Sequence, residues 1–311
     1  MVASIDSLSY HKPALLKEVL TILEPRSNNN FVDATLGDGG HALAILDSTL
    51  PNGRLLGLDA DDQGVLRAFE RLKKYEGRVC LKNYNFNKLE QAVTESQISP
   101  ISGILFDLGI SSWQLDSADK GFSFKDQSLD MRFNSEQTTS AIQLVNNLEY
   151  KDLSTLIYRY GEDPNANRIT RAIIKSRPIL NAKHLTEIIQ HAVPRRGKKT
   201  NPATRTFQSL RIAVNNEMEN LEYTLSSLMS FLTKGTKIVV IAYHSLEDRI
   251  VKNFMRKESI DCLCPTTVLV CQCNHSKKIE LINKRVIKPS EDEIMMNPRV
   301  RSARLRACLV I

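Results

Sequence analysis

The chain has 311 residues, a length that suits a single large α/β domain or a core with a sizeable insertion, two domains being the working reading, and its 42% apolar and 25% charged residues argue against a disordered or fibrous protein. A formal charge of +7 and a pI near 9.0 suit a polyanionic partner without demanding one. The longest apolar runs, such as Ile238 to Tyr243, fall far short of the roughly 20 residues that span a bilayer, and Met1-Val2-Ala3-Ser4-Ile5-Asp6 has no secretory signal character, so the expected location is cytoplasmic.

His11 to Leu23 has helical spacing of Leu15, Leu16, Val19, Leu20 and Leu23, with Pro13 in the first turn. Phe31 to Thr35 then reads as a strand that meets the glycine cluster Gly37-Asp38-Gly39-Gly40, giving strand, tight loop, helix. Comparable strands follow at Arg54 to Leu58 ending on Asp59, at Arg78 to Leu81, and at Gly103 to Phe106 ending on Asp107, with helical segments such as Asp62 to Lys74 between them. That alternation predicts a mainly parallel sheet. From about Ser112 to Arg211 the strands stop, and Leu153 to Tyr160, Ala166 to Lys175 and Leu185 to Ala192 read as helices. Strand-like sequence returns at Lys237 to Tyr243, after a helix stop at Gly235, and at Ala303 to Ile311. The reading is therefore a core of residues 1–111 and 212–311 interrupted by a helical domain over 112–211.

Gly37, Gly39 and Gly40 let the backbone turn sharply and bring a ligand against the following helix N-terminus. Asp59, ending the next strand, is placed to accept hydrogen bonds from ribose hydroxyls, the alternative being a glycine turn without a ligand and a surface aspartate. Through Ala42 the loop also satisfies G-x-G-x-x-A, so a nicotinamide cofactor and an oxidoreductase fit this motif alone. Asp107 begins Asp107-Leu108-Gly109-Ile110-Ser111-Ser112 at the sheet edge where open α/β folds bind ligands; it is either a catalytic carboxylate or a cap for the next helix or loop. In His244-Ser245-Leu246-Glu247-Asp248, Ser245 and Asp248 resemble a helix cap, while His244 either orients a substrate base or phosphate or is a structural histidine.

Two basic runs are either phosphate contacts or solvated charge. Arg195, Arg196, Lys198, Lys199 and Arg205 crowd one loop; Arg299, Arg301, Arg304 and Arg306 alternate as one face of a strand would, for RNA or for acidic neighbours. Cys262-x-Cys264 and Cys271-x-Cys273, with His275 nearby, form either a zinc site or a reduced cysteine loop; no metal is called for by the rest of the chain.

Together these motifs resemble the RsmH (MraW) family of rRNA methyltransferases nearly end to end. Tyr10-His11-Lys12-Pro13 with Leu15-Leu16-x-Glu18-Val19, Asp33-Ala34-Thr35-Leu36-Gly37-Asp38-Gly39-Gly40-His41, Asp107 to Ser112 with Gln114-Leu115-Asp116, Gly121-Phe122-Ser123-Phe124, Leu129-Asp130-Met131-Arg132, Tyr160-Gly161-Glu162, Ala203 to Gln208 and His244 to Arg249 all have counterparts. The resemblance implies an α/β, class I (Rossmann-like) S-adenosylmethionine-dependent methyltransferase core with an inserted all-helical substrate-recognition domain. It implies S-adenosyl-L-methionine as cofactor and 16S rRNA of the small ribosomal subunit as partner, methylated at the N4 amine of a decoding-region cytidine, and it leaves room for a homodimer. By position Gly37, Gly39, Gly40, His41, Asp59, Phe86, Asp107 and Gln114 match cofactor-contacting residues, Phe86 stacking on adenine. The N4 amine is a weak nucleophile because its lone pair is delocalised into the ring, so an acceptor for its hydrogens is needed, and Asp107 is the candidate. Three positions depart from the family pattern: Asp38, Ala42 and the Asp163-Pro164 step. An RNA-binding assembly protein without catalysis is the remaining alternative.

Overall fold

The computed structural model describes residues 12–116, 120–193, 201–265, 267–268 and 270–311. The chain divides into two compact units, residues 1–109 with 220–311 and residues 110–219.

The first unit opens with α1 (Leu16–Leu23), β1 (Asn30–Asp33), α2 (Gly40–Ser48), β2 (Leu55–Leu58), α3 (Asp62–Leu72), β3 (Val79–Lys82), α4 (Leu89–Ser96) and β4 (Ile101–Asp107). The second unit holds α5 (Ser112–Asp116), α6 (Ala141–Asn147), α7 (Tyr150–Gly161), α8 (Ala166–Lys175), α9 (Ala182–Ala192) and α10 (Thr204–Asn215). After α11 (Glu217–Phe231) come β5 (Lys237–Ala242), α12 (Ser245–Glu258), β6 (Ile279–Leu281), α13 (Glu291–Met296) and β7 (Arg304–Val310).

The seven strands form one sheet in the order β3-β2-β1-β4-β5-β7-β6. β1 to β5 pair in parallel, while β7 runs antiparallel to both β5 and β6. This is a doubly wound, mainly parallel α/β sheet, as the alternation of strands and helices predicts. Strand alternation sends Val32, Leu58, Phe106 and Val240 to one face, against α4, α11 and α12. Phe31, Leu55, Leu105 and Val239 go to the other, against α1, α2 and α3. Both faces are covered, which is why the strands read as continuous apolar runs.

Two sequence expectations need correction here. α1 begins at Leu16 because Leu15 adopts a left-handed conformation (φ 51°), its amide donating to the Glu293 carboxylate of α13 at 2.7 Å; Pro13 therefore lies outside the helix. The basic run from Arg299 is not one strand face. Pro298–Ser302 is a 3₁₀ turn, and only Arg304 and Arg306 lie on β7, where both pair with Asp248. The acidic-neighbour alternative thus holds for that pair.

In the second unit, α6 to α10 bury one apolar cluster including Val145, Ile157, Ile169, Leu185 and Leu210. Asn215 stitches it: its side-chain amide donates to the Met131 carbonyl at 2.8 Å and accepts from the Phe133 amide at 2.9 Å. The Asp163-Pro164 departure has a local role, since buried Asp163 accepts from the Asn165 amide at 2.9 Å in the turn entering α8.

Candidate active site

The strand order brings the C-terminal ends of β2, β1, β4 and β5 side by side, and the candidate residues of the first unit are built on that edge. Between β1 and α2, Gly37 and Gly39 have φ of +52° and +73°, a region that side chains beyond glycine rarely adopt. A Cβ on Gly37 would meet nothing within 4 Å, so conformation rather than crowding calls for glycine there. α2 starts at Gly40 with no side-chain cap, and its first amides have no acceptor within the helix. An uncapped helix start beside a glycine turn suits the carboxylate or phosphate of a nucleoside cofactor.

Asp59 accepts from the Gly37 amide (2.7 Å) and from the Asp61 amide (2.8 Å), one bond on each oxygen. A carboxylate has about four acceptor positions, so the arrangement that ties β2 to the glycine loop leaves acceptors for ribose hydroxyls. Burial raises its carboxyl to about 6, against the lowering effect of those two amides. Asp38 turns to α3 instead, pairing with Arg67 at 2.8 Å while Arg71 donates to its carbonyl at 3.1 Å. The departure at Asp38 thus pins the loop from outside. Ala42 is fully buried in α2.

Asp107 ends β4. The Tyr243 hydroxyl donates to Oδ1 at 2.8 Å, and His41 Nδ1 lies 3.7 Å from Oδ2. His41 Nε2 lies 2.9 Å from the Ala14 carbonyl, which can only accept, so Nε2 carries a hydrogen and a neutral ring would turn a lone pair toward Asp107. That contact is favourable only with a proton on one partner. Burial raises the Asp107 carboxyl, opposed by His41 and by the Tyr243 hydroxyl, with Glu247 adding to the rise. Asp33, buried at the end of β1, is pushed up to about 8 by burial, with Asp107 and Asp59 contributing. The Thr35 amide donates to Asp33 at 3.2 Å, and the Thr35 hydroxyl accepts from the Asp107 amide, linking the two strand ends.

Phe86 lies in a 3₁₀ turn (Phe86–Lys88) after β3, half-buried, its ring edge-on to Phe106 with centroids 6.1 Å apart. Gln114 lies in the second unit, buried at the start of α5, where its side chain accepts from the Ser111 amide at 2.9 Å.

His244 has a structural part in the described geometry. It is itself the N-cap of α12: its ring accepts from the Glu247 amide at 3.3 Å, and the buried Glu247 carboxylate reaches back to the amides of Tyr243 (2.7 Å) and His244 (3.2 Å). The cap therefore falls one residue earlier than the Ser245 and Asp248 reading, and Asp248 is left for Arg306, whose Nε donates to it at 2.7 Å. Arg195, Arg196, Lys198 and Lys199 lie outside the described residues, while Arg205 donates to the Glu162 carbonyl at 2.7 Å. Tyr243 escaped the sequence reading, and Asp33 entered it only as the first residue of the Asp33 to His41 motif. Tyr243 looked like the end of an apolar strand, and only the register Asp107↔Ile241 puts its hydroxyl beside Asp107.

The model of the MraW methylase family matches residues 8–310. The chain belongs to the MraW methylase family. Similar curated members are each described as ribosomal RNA small subunit methyltransferase H. The protein of Dehalococcoides mccartyi is 47% identical over 297 residues, covering 95% of this chain and 85% of its own length. That of Thermomicrobium roseum is 43% identical, with 96% and 92% covered, and that of Halothermothrix orenii 42%, with 95% and 97% covered. Membership at this level bears out the resemblance drawn from the motifs and decides against the oxidoreductase reading that the glycine loop alone permits.

Proposed function

We propose that this chain is an S-adenosylmethionine-dependent methyltransferase that acts on 16S rRNA of the small ribosomal subunit, at the N4 amine of a decoding-region cytidine. The observation that carries the reading is the Asp107 carboxylate, fixed by Tyr243, on the same sheet edge as the glycine loop and Asp59. When bound, S-adenosylmethionine supplies a methyl group on a cationic sulfur, the electrophile of the reaction.

The chain's own residues do the rest. The α2 N-terminus and the Gly37 to Gly40 turn hold the cofactor, Asp59 accepts from its ribose and Phe86 offers an aromatic surface to its adenine. Asp107 accepts the hydrogens of the exocyclic amine, favouring the rehybridised nitrogen whose lone pair attacks. Tyr243 and His41 fix its orientation and charge, and His244 acts by capping α12. The net charge of +7 favours a phosphate backbone, and we assign RNA recognition to the helical second unit.

The test is mass mapping of 16S rRNA from cells lacking the protein, with Asp107→Asn and wild-type chains added back. The expected result is loss of one methyl group, restored only by wild type. An unchanged RNA mass overturns the substrate, and restoration by a folded Asp107→Asn variant removes the proposed acceptor.

A further inference from the structure

Between α12 and β6 the chain makes an excursion, residues 259–278, whose described residues join neither apolar cluster of the first unit. Among its described residues Ile260, Leu263, Val268 and Val270 face solvent, Val270 being 74% exposed, so hydrophobic burial does not explain its conformation. Its base is closed by the Lys278 amide donating to the Glu258 carbonyl at 2.8 Å. What gathers its interior is sulfur. The Sγ atoms of Cys262, Cys264, Cys271 and Cys273 all lie within 4.8 Å of one another.

We propose that these four cysteines form a structural zinc site. Three of their separations are 3.4 Å (Cys262 to Cys271), 3.5 Å (Cys271 to Cys273) and 3.8 Å (Cys262 to Cys273). A Zn–S bond of about 2.3 Å in tetrahedral geometry sets sulfur atoms about 3.8 Å apart, so the cluster has the size of a tetrathiolate shell. Two disulfides would instead single out two pairs at about 2.05 Å, whereas here Cys262, Cys271 and Cys273 are near-equidistant. Backbone amides also point at the sulfurs: Leu263 to Cys273 at 3.2 Å, Cys264 to Cys262 at 3.4 Å and Gln272 to Cys264 at 3.4 Å. Such donors stabilise thiolate charge and orient metal ligands. His275 is not in the set: the group whose ligand atoms lie within 4.8 Å of one another holds the four cysteines alone.

Binding is ligand exchange without redox change: four thiols give up their protons and four S–Zn bonds form. The shell has no open position, so the ion clamps the excursion and takes no part in methyl transfer. The site stands independently of the proposed function.

The test uses the full chain purified under reducing, anaerobic conditions. Elemental analysis is expected to find one zinc per chain, released by a mercurial as the thiols titrate. Replacement by cobalt(II) is expected to give the ligand-field spectrum of a tetrahedral tetrathiolate. Both signals should vanish in C271S/C273S and persist in Cys80→Ser. Substoichiometric zinc without the cobalt spectrum in wild type, metal retained when all four cysteines are serine, or a disulfide within the cluster of the anaerobic protein would each overturn the site. The wild-type cobalt spectrum decides the matter even if the double variant does not fold.

Discussion

Asp107 sits where burial favours its neutral acid and the Tyr243 hydroxyl and His41 favour its carboxylate. As only the carboxylate accepts both amine hydrogens, methyl transfer should rise with pH as this group ionises. Replacing Asp107 by Asn should lower kcat by about 10²- to 10⁴-fold, the usual reach of a positioned proton acceptor, with circular dichroism unchanged. Tyr243→Phe removes one charge-assisted hydrogen bond and should reduce kcat by about tenfold. Because that bond lowers the Asp107 pKa, its loss should also move the acidic limb of the pH profile upward, and an unmoved limb would leave Tyr243 without a part in holding Asp107. Asp33 affects stability. Its folded carboxyl titrates near 8 against an ordinary 3.8, so the native state holds the extra proton. The associated stability is present below about pH 4 and is lost as pH rises through about 8. Urea midpoints of wild type should therefore fall across that window, and those of Asp33→Asn should fall less; parallel slopes would contradict the assignment. Asp59 and Asp107 were legible as acids ending apolar strands. Asp33 carries the same local signature at the end of β1, but the chain gives no local sign that Tyr243 belongs beside them, because that proximity is created by strand order.

At the level of elements, the parallel strands were readable because each is a short apolar run, and β1, β2 and β4 are closed by Asp33, Asp59 and Asp107. β6 was not, having three residues of which two are exposed. The start of α12 was misread by one residue because serine is the commoner cap, yet here His244 and Glu247 form the reciprocal pair. His244→Ala should cost about 1 kcal/mol of stability, as loss of an N-cap does. His244→Asn, which restores a capping acceptor, should recover that loss and most of the activity. An Asn variant that is stable but inactive would return the imidazole to the chemistry. Asp248 is held by two arginines of β7, so the helix is fixed at its cap by one acid and to the sheet by the next.

Across the whole chain, the proposed cofactor residues of the sheet edge lie in one unit, while the helical unit has its own core. Hydrogen exchange with S-adenosylhomocysteine should slow in Phe31–Gly40, Leu55–Asp61 and Ile101–Gly109 and leave the amides of α7 to α9 unchanged. A ligand at 100 times its Kd adds about 2.7 kcal/mol to the state that binds it, enough to resolve the difference; uniform protection would argue against a site confined to that edge. The split was visible in the sequence as a long run without strands between two strand-bearing stretches. The helices α6 and α10 were not, since one is short and the other begins inside a motif read for its family likeness.

The pairing of β4 with β5 also has a consequence for biogenesis. These neighbours share a parallel ladder from Gly103↔Lys237 to Asp107↔Ile241, yet the entire helical unit separates them in the chain. At a synthesis rate of about 5–20 residues per second, the apolar β4 emerges on the order of ten seconds before its partner exists. Throughout that interval a nascent chain carries an unprotected strand edge, an adhesive surface. Arrest of translation before Lys237 should therefore yield chains that aggregate or recruit chaperones, and arrest after β5 and β7 have emerged should not.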